Sequence, residues 1–244
     1  MQQSRQSAPS RWLGWLGGHE LGILVLLFAI AAGVWAFAML ASEVREGETY
    51  SLDRRILLAM RRPGDLAPIG SPAFQEAVSD VSALGGTTVL ALVTVITVGF
   101  LALDGKSHMA YFAAGSVAGG MVAAALLKEI FQRPRPEIVP HIAYAANSSF
   151  PSGHSMMSAV TYLTLGALLA RSQERKRLKA YLLLLAAFLT FLIGLSRVYL
   201  GVHWPTDVLA GWTAGAVWAM FCWLAARWLQ GRATLEAEGQ HAIR

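Results

Sequence analysis

Three short stretches carry the residues able to do chemistry. They are Lys128 with Arg135-Pro136, then Pro151-Ser152-Gly153-His154, then Ser196-Arg197 followed by His203 and Asp207. Together they gather three cations, two histidines and one carboxylate. That set suits gripping a phosphoryl group and moving it through a histidine. Arginine presents a planar fork to two phosphate oxygens at once, and a neutral imidazole is a nucleophile or a proton carrier.

Each residue also has an ordinary reading, so its surroundings must decide. Lys128 closes an apolar helix, and a lysine there can simply snorkel to water. It is followed at once by Gln132-Arg133-Pro134-Arg135-Pro136, where prolines hold the chain out of helix and the arginines stand ready for an anion. A histidine at a membrane edge can be an interfacial residue. His154, however, follows a Pro-Ser-Gly turn that opens a helix, where free N–H groups and the helix dipole favour negative charge. Gly153 lets the backbone approach such a ligand closely. Asp207 can cap a helix as an acidic first-turn residue. With Pro205 in that same turn, it can also reach back to His203, fix its tautomer and free the other ring nitrogen.

The elements that must position these residues are membrane helices. Of the 244 residues 55% are hydrophobic and only 14% charged, against about 25% charged in a typical soluble domain. Apolar runs that approach the roughly 20 residues of a bilayer span occur at 21–41, 86–103, 109–127, 155–170, 181–195 and 207–229. The fourth and fifth are short, as expected if the motif loops dip into the membrane face. The first is too long for a signal-peptide core and lacks a clean cleavage site, so it reads as an uncleaved anchor. The expectation is an all-α integral membrane six-helix bundle forming one domain over 1–244, with a loosely ordered polar tail at 231–244. The lone Cys222 cannot form an internal disulfide.

The net charge of +5 is spread over loops rather than along one basic face, which excludes a nucleic-acid binder. The densest basic cluster is Arg171, Arg175, Arg177, Lys176 and Lys179, which assigns that loop to the cytoplasm. Arg5, Arg11, Lys106, Arg227, Arg232 and Arg244 then fall on the same side, both termini are cytoplasmic, and all three motifs face outward. The outer loop at 43–84 should hold short interfacial amphipathic helices. In the first, Ser51 is the expected cap, with Leu52, Ile56, Leu57 and Met60 on one face and Pro63 as the stop. The second starts at Ser71-Pro72, carries an apolar stripe of Phe74, Ala77, Val78, Val81 and Leu84, and ends at Gly85-Gly86. Gly115 and Gly119 form a small-xxx-small pattern that suits close internal helix packing.

The motifs resemble the type-2 phosphatidic acid phosphatase superfamily, whose signature is Lys-x6-Arg-Pro, Pro-Ser-Gly-His and Ser-Arg-x5-His-x3-Asp. Every signature position is matched in order and spacing, from Lys128 to Asp207. The resemblance implies that His203 attacks phosphorus, that Asp207 orients it, and that His154 protonates the leaving oxygen and then activates water. It implies that Lys128, Arg135, Ser152, Gly153 and Arg197 cradle the phosphate oxygens. No metal or other cofactor is implied, since the cations supply the charge stabilisation that Mg²⁺ provides elsewhere. The implied substrate is a membrane lipid phosphate, at the outer face of a bacterial inner membrane. Undecaprenyl pyrophosphate and phosphatidylglycerol phosphate come ahead of phosphatidic acid and lipid A phosphates. A phosphotransferase passing the phosphate to an acceptor lipid, and a non-catalytic lipid-binding or transport protein, are the competing readings. Arg133 lies outside the signature, and its role stays open.

Overall fold

The computed structural model describes residues 18–143 and 148–242, with side chains over 20–143 and 148–228. Arg5, Arg11 and Arg244, and the side chain of Arg232, lie outside what is described. All regular elements among the described residues are helical, apart from one isolated bridge between Arg61 and Pro68. In chain order they are α1 (Gly18–Glu46), α2 (Tyr50–Ala59), α3 (Pro72–Ala83), α4 (Thr87–Leu103) and α5 (Ser107–Phe131). There follow α6 (Gly153–Ser158), a π-helical turn (Ala159–Leu163), α7 (Thr164–Arg171), α8 (Lys176–Tyr199) and α9 (Pro205–Ala242).

Four of these helices are long and apolar enough to cross a membrane: Glu20–Glu46, Ser107–Phe131, Lys176–Tyr199 and Pro205–Trp228. The pair α3 and α4, bent by 48° at its break, is a fifth candidate. The first span has a mean hydropathy of 2.7, yet none of its most apolar window is buried. Phe28, Trp35, Val95, Phe100 and Phe188 are likewise largely exposed. So much outward apolar surface is what lipid covers in a multi-pass membrane protein.

The helices differ from the sequence expectation in instructive places. The expected fourth span, 155–170, is a helical run over 153–171 interrupted by the π turn, so no single piece of it reaches spanning length. The expected fifth span, 181–195, was too short. Lysine and arginine are good helix formers, so α8 begins at Lys176 inside the basic cluster and runs to Tyr199 beyond Arg197. Helix α9 continues past 231 to Ala242, through Ala, Leu, Glu and Arg residues that favour helix.

In the outer loop, Thr49 rather than Ser51 precedes α2, and it makes no side-chain cap bond. Of the expected face, Leu57 is buried and Ile56 and Met60 are half-buried. Leu52 is exposed, while Asp53 and Leu57, one turn apart, are fully buried. Helix α3 starts as expected, with the Ser71 hydroxyl accepting from Phe74 N–H at 3.3 Å and Pro72 at its first position. It lies along α8, turning Val78 and Ser82 inward but leaving Phe74 exposed against the ring of Tyr199.

Helix α9 packs against α1, α6, the π turn and α8, and α4 pairs with α5. Small residues set the closest approaches. A Cβ at Gly119 would come within 2.6 Å of Trp218 on α9, whereas Gly115 faces open space, so only half of the small-residue pattern packs inside the bundle. At Gly211 on α9 an added Cβ would sit 2.7 Å from the Ser152 carbonyl oxygen and 3.1 Å from Met156 N. The missing side chain seats the Pro-Ser-Gly-His turn directly on α9. Because the obstructing atoms are largely backbone, Gly211→Ala should lower stability by about 1–3 kcal/mol. This is measurable as a lower Tm in detergent, with reduced turnover alongside. An unchanged Tm would mean that the turn is not held this tightly.

Candidate active site

The three motifs converge. Trp204, at the head of α9, donates its indole N–H to Pro134 O at 3.1 Å, joining the third motif to the first. Ser152 N–H donates to Asp207 O at 2.9 Å, joining the second to the third. Phe150 is fully buried, with its ring centroid 4.9 Å from that of Phe131 and 5.8 Å from that of Phe37. It thereby anchors the second motif to α1 and to the end of α5.

Asp207 is wholly buried and surrounded by donors. Arg133 donates to its Oδ1 at 2.6 Å. Its Oδ2 accepts from the Trp204 backbone N–H at 2.9 Å and from the Ser149 hydroxyl. The same Oδ2 stands 3.5 Å from His203 Nδ1. On the other side of the imidazole, Arg135 lies 3.2 Å from Nε2 while also donating to Val202 O at 2.6 Å. A guanidinium has no lone pair to offer. Nε2 must therefore be the acceptor, which puts the ring proton on Nδ1, facing Asp207. The free lone pair on Nε2 thus points toward Arg135.

Lys128 reaches the Ser148 carbonyl oxygen at 3.4 Å, and Arg135 reaches it at 3.5 Å. Gly153 lies against the lysine, where a Cβ would come within 3.3 Å of Cε and 3.4 Å of Nζ. Ser152 caps α6, its hydroxyl accepting from Ser155 Oγ at 2.9 Å. Arg197 is buried, donates one N–H to Ser82 Oγ of α3 at 2.8 Å, and leaves its Nε without a protein partner.

Lys128, Arg135, Gly153, His154, Arg197 and His203 line one cavity of about 790 Å³. Its other wall is apolar: Leu90 and Ala91 of α4, with Val117, Met121 and Ala124 of α5. The spacing 117, 121, 124, 128 keeps one face of α5 toward the cavity, so the apolar wall leads straight to Lys128. Ser152 and Asp207 stand behind this surface, supporting it through the contacts above.

Residues outside the signature also belong to the site. Ser149 binds Asp207; Ser82 holds Arg197; and Arg133 joins Asp207 to Asp53 of α2 at 2.8 Å. Ser148 and Ser149, just before Phe150-Pro151, are a local hint of polar partners. Nothing local announced Asp53, eighty residues from Arg133.

The sequence matches the family profile described as the PAP2 superfamily over residues 109–230. A relative, phosphatidylglycerophosphatase B of Bacillus subtilis, is 30% identical over 185 residues, which is 73% of this chain and 85% of that one. The chain belongs to the PAP2 superfamily. An undecaprenyl-diphosphatase of Sulfolobus acidocaldarius is 38% identical over a shorter stretch, 30% of this chain and 31% of that one. The crystal structure of a transmembrane PAP2-type phosphatidylglycerolphosphate phosphatase from Bacillus subtilis superposes with a TM-score of 0.73 at 26% identity. That match covers 80% of this chain and 94% of that one. This PAP2 protein is a phosphatase, a hydrolase of phosphoric esters.

Burial pushes the His203 imidazole down from 6.5 to about 4, with Arg135 and Arg197 pressing the same way and Asp207 opposing them. His203 is therefore neutral at pH 7 and takes up a proton only as the pH falls through about 4. Burial also lowers Arg135, again opposed by Asp207. An NMR titration of ¹⁵N-histidine-labelled protein in detergent should give His203 a midpoint well below 5, with the proton on Nδ1 at neutral pH. A midpoint at 6.5, or the opposite tautomer, would contradict this electrostatic account.

Proposed function

We propose that this PAP2 phosphatase hydrolyses the phosphate or pyrophosphate monoester of a membrane lipid through a phosphohistidine. One observation carries the proposal: the cationic and histidine side chains share a single cavity with an apolar wall built from α4 and α5. A lipid phosphate needs both surfaces, one for its headgroup and one for its chains.

In this mechanism the Nε2 lone pair of His203 attacks phosphorus, and the bond to the lipid oxygen breaks. Burial, with Arg197, Lys128 and Arg135 nearby, pushes the His154 imidazole down to about 3, so it is neutral at pH 7 before substrate binds. The negative charge of the entering phosphate raises it, and in that complex the protonated ring gives its proton to the leaving oxygen. Asp207 accepts from Nδ1–H and stabilises the positive charge that the ring acquires on bonding to phosphorus. His154, now neutral, takes a proton from water as the water attacks the phosphohistidine, releasing inorganic phosphate and restoring His203. Lys128, Arg135 and Arg197, with the Gly153 N–H, hold the phosphate oxygens while charge shifts among them. Ser152 shapes that turn from behind. Three cations, Lys128, Arg135 and Arg197, stand at the cavity and suit phosphate oxygens directly.

The basic cluster at 171–179 supports an inner-membrane orientation with both termini in the cytoplasm and the site on the outer face. Likeness to phosphatidylglycerophosphatase B over most of both chains makes phosphatidylglycerol phosphate the first substrate to try, followed by undecaprenyl pyrophosphate and phosphatidic acid. The test is phosphate release by purified protein from these lipids in detergent. A clear preference names the substrate, equal rates mean broad specificity, and failure on all of them overturns the proposal.

His203→Ala should abolish turnover, and activity within tenfold of wild type would refute the nucleophile. Excess EDTA should leave the rate unchanged, because the charge stabilisation comes from side chains.

A further inference from the structure

Arg133, Asp53 and Thr206 form a buried ionic link that the proposed chemistry does not use directly. Arg133 forks between two fully buried carboxylates, with NH1 on Asp207 Oδ1 at 2.6 Å and NH2 on Asp53 Oδ2 at 2.8 Å. Asp53 grips the start of α9. Its Oδ1 accepts the Thr206 N–H at 2.9 Å, and its Oδ2 accepts the Thr206 hydroxyl at 2.6 Å. Thr206 in turn accepts from Arg133 NH1 at 2.8 Å. The arginine also lies over the Trp204 ring, 5.5 Å from its centroid. Helix α2 is thus wired to the residue beside His203 from a loop outside the family-matched segment.

We infer that Arg133 and Asp53 are positioning residues for the reaction, fixing the orientation and the effective charge of the Asp207 carboxylate on His203. The inference rests on the proposed role of His203 and assigns a task to the outer loop. The geometry gives each residue a distinct effect. Arg133 pins Oδ1, leaving Oδ2 aimed at Nδ1–H. Asp53 draws part of the guanidinium charge away from Asp207 and prevents the arginine from neutralising it. A buried charge pair that loses one member leaves the other uncompensated, so the two carboxylates and the arginine act as one unit.

The groups facing this pair are few. His203 is influenced by Arg135, Arg197, His154 and Asp207, and Asp207 by Arg133, Arg135, Lys128 and His203, with Ser149 bonded to it. Removing Arg133 strips a positive charge from this set, and removing Asp53 strips a negative one. Their effects on His203 are therefore opposite in sign, even though both disturb the same link.

The test compares Arg133→Gln, Arg133→Lys and Asp53→Asn with His203→Ala as purified proteins in detergent. Phosphate release and the His203 NMR titration are both read. Arg133→Gln and Asp53→Asn should lower kcat by about ten- to a hundredfold, as loss of an orienting partner does, and leave KM within about threefold. Arg133→Lys keeps the charge but not the fork and should fall between wild type and Arg133→Gln. Arg133→Gln should raise the His203 midpoint by about one unit, while Asp53→Asn should leave it at or below the wild-type value. A purely structural role would loosen the site, admit water and raise the midpoint in both.

Wild-type kcat in Asp53→Asn, a defect confined to KM, or a raised midpoint in both variants overturns the inference. If Asp53→Asn does not fold, Thr206→Val removes the hydroxyl's bonds to Asp53 and Arg133 while keeping the N–H bond to Asp53, and should lower kcat severalfold at unchanged KM; wild-type kcat there overturns the inference equally. Full activity in His203→Ala would instead defeat the nucleophile reading itself, an outcome that these variants do not share.

Discussion

A carboxylate buried out of reach of water is tolerable only if every lone pair finds a donor, and Asp207 organises the protein around that requirement. Its donors arrive from all over the chain: Arg133 from beyond α5, Ser149 from the approach to α6, and Trp204 from the turn before α9. Its main-chain oxygen holds Ser152. The placement of His203, of the Pro-Ser-Gly-His turn and of α2 all follow from satisfying this single charge.

Much of the site could be read from the chain because its chemistry is local. A glycine between a capping serine and a histidine, or a proline two residues before an aspartate at a helix start, leaves a pattern within a few positions. Lys128, Arg135, Gly153, His154, Arg197 and His203 line one cavity, with Ser152 and Asp207 just behind it. Partnerships over long sequence distances leave no such pattern. Asp53 looked like one more acidic residue on an outer loop, and only the fold gives it an arginine eighty positions away. The same limit hid the charge on the inner side of α2. Periodicity favoured Leu52, Ile56, Leu57 and Met60 as the inner face, whereas a buried ion pair brings Asp53 inside beside Leu57 and leaves Leu52 exposed.

Helix ends were read less well for a different reason. Apolar counting stops where charges begin, but a helix does not. Lys176 and Arg177 extend α8 at one end and Arg197 at the other, since long cationic side chains can follow the helix and still reach water or a buried partner. The interrupted run over 153–171 was the reverse case. A continuous apolar stretch gave no sign of the π turn at Ala159–Leu163, which sits where α6 and α9 press together around Gly215.

The Ser148 carbonyl lies between Lys128 and Arg135, giving both cations an acceptor. A phosphate entering there competes with one neutral oxygen and gains several fixed charges. In the proposed reaction this cradle holds the phosphoryl group itself, whatever that group is attached to. The inorganic phosphate released there carries the same feature and leaves behind the lipid that brought it. Product inhibition is the consequence of that proposal, with a turnover rate that depends on how quickly the surroundings carry phosphate away.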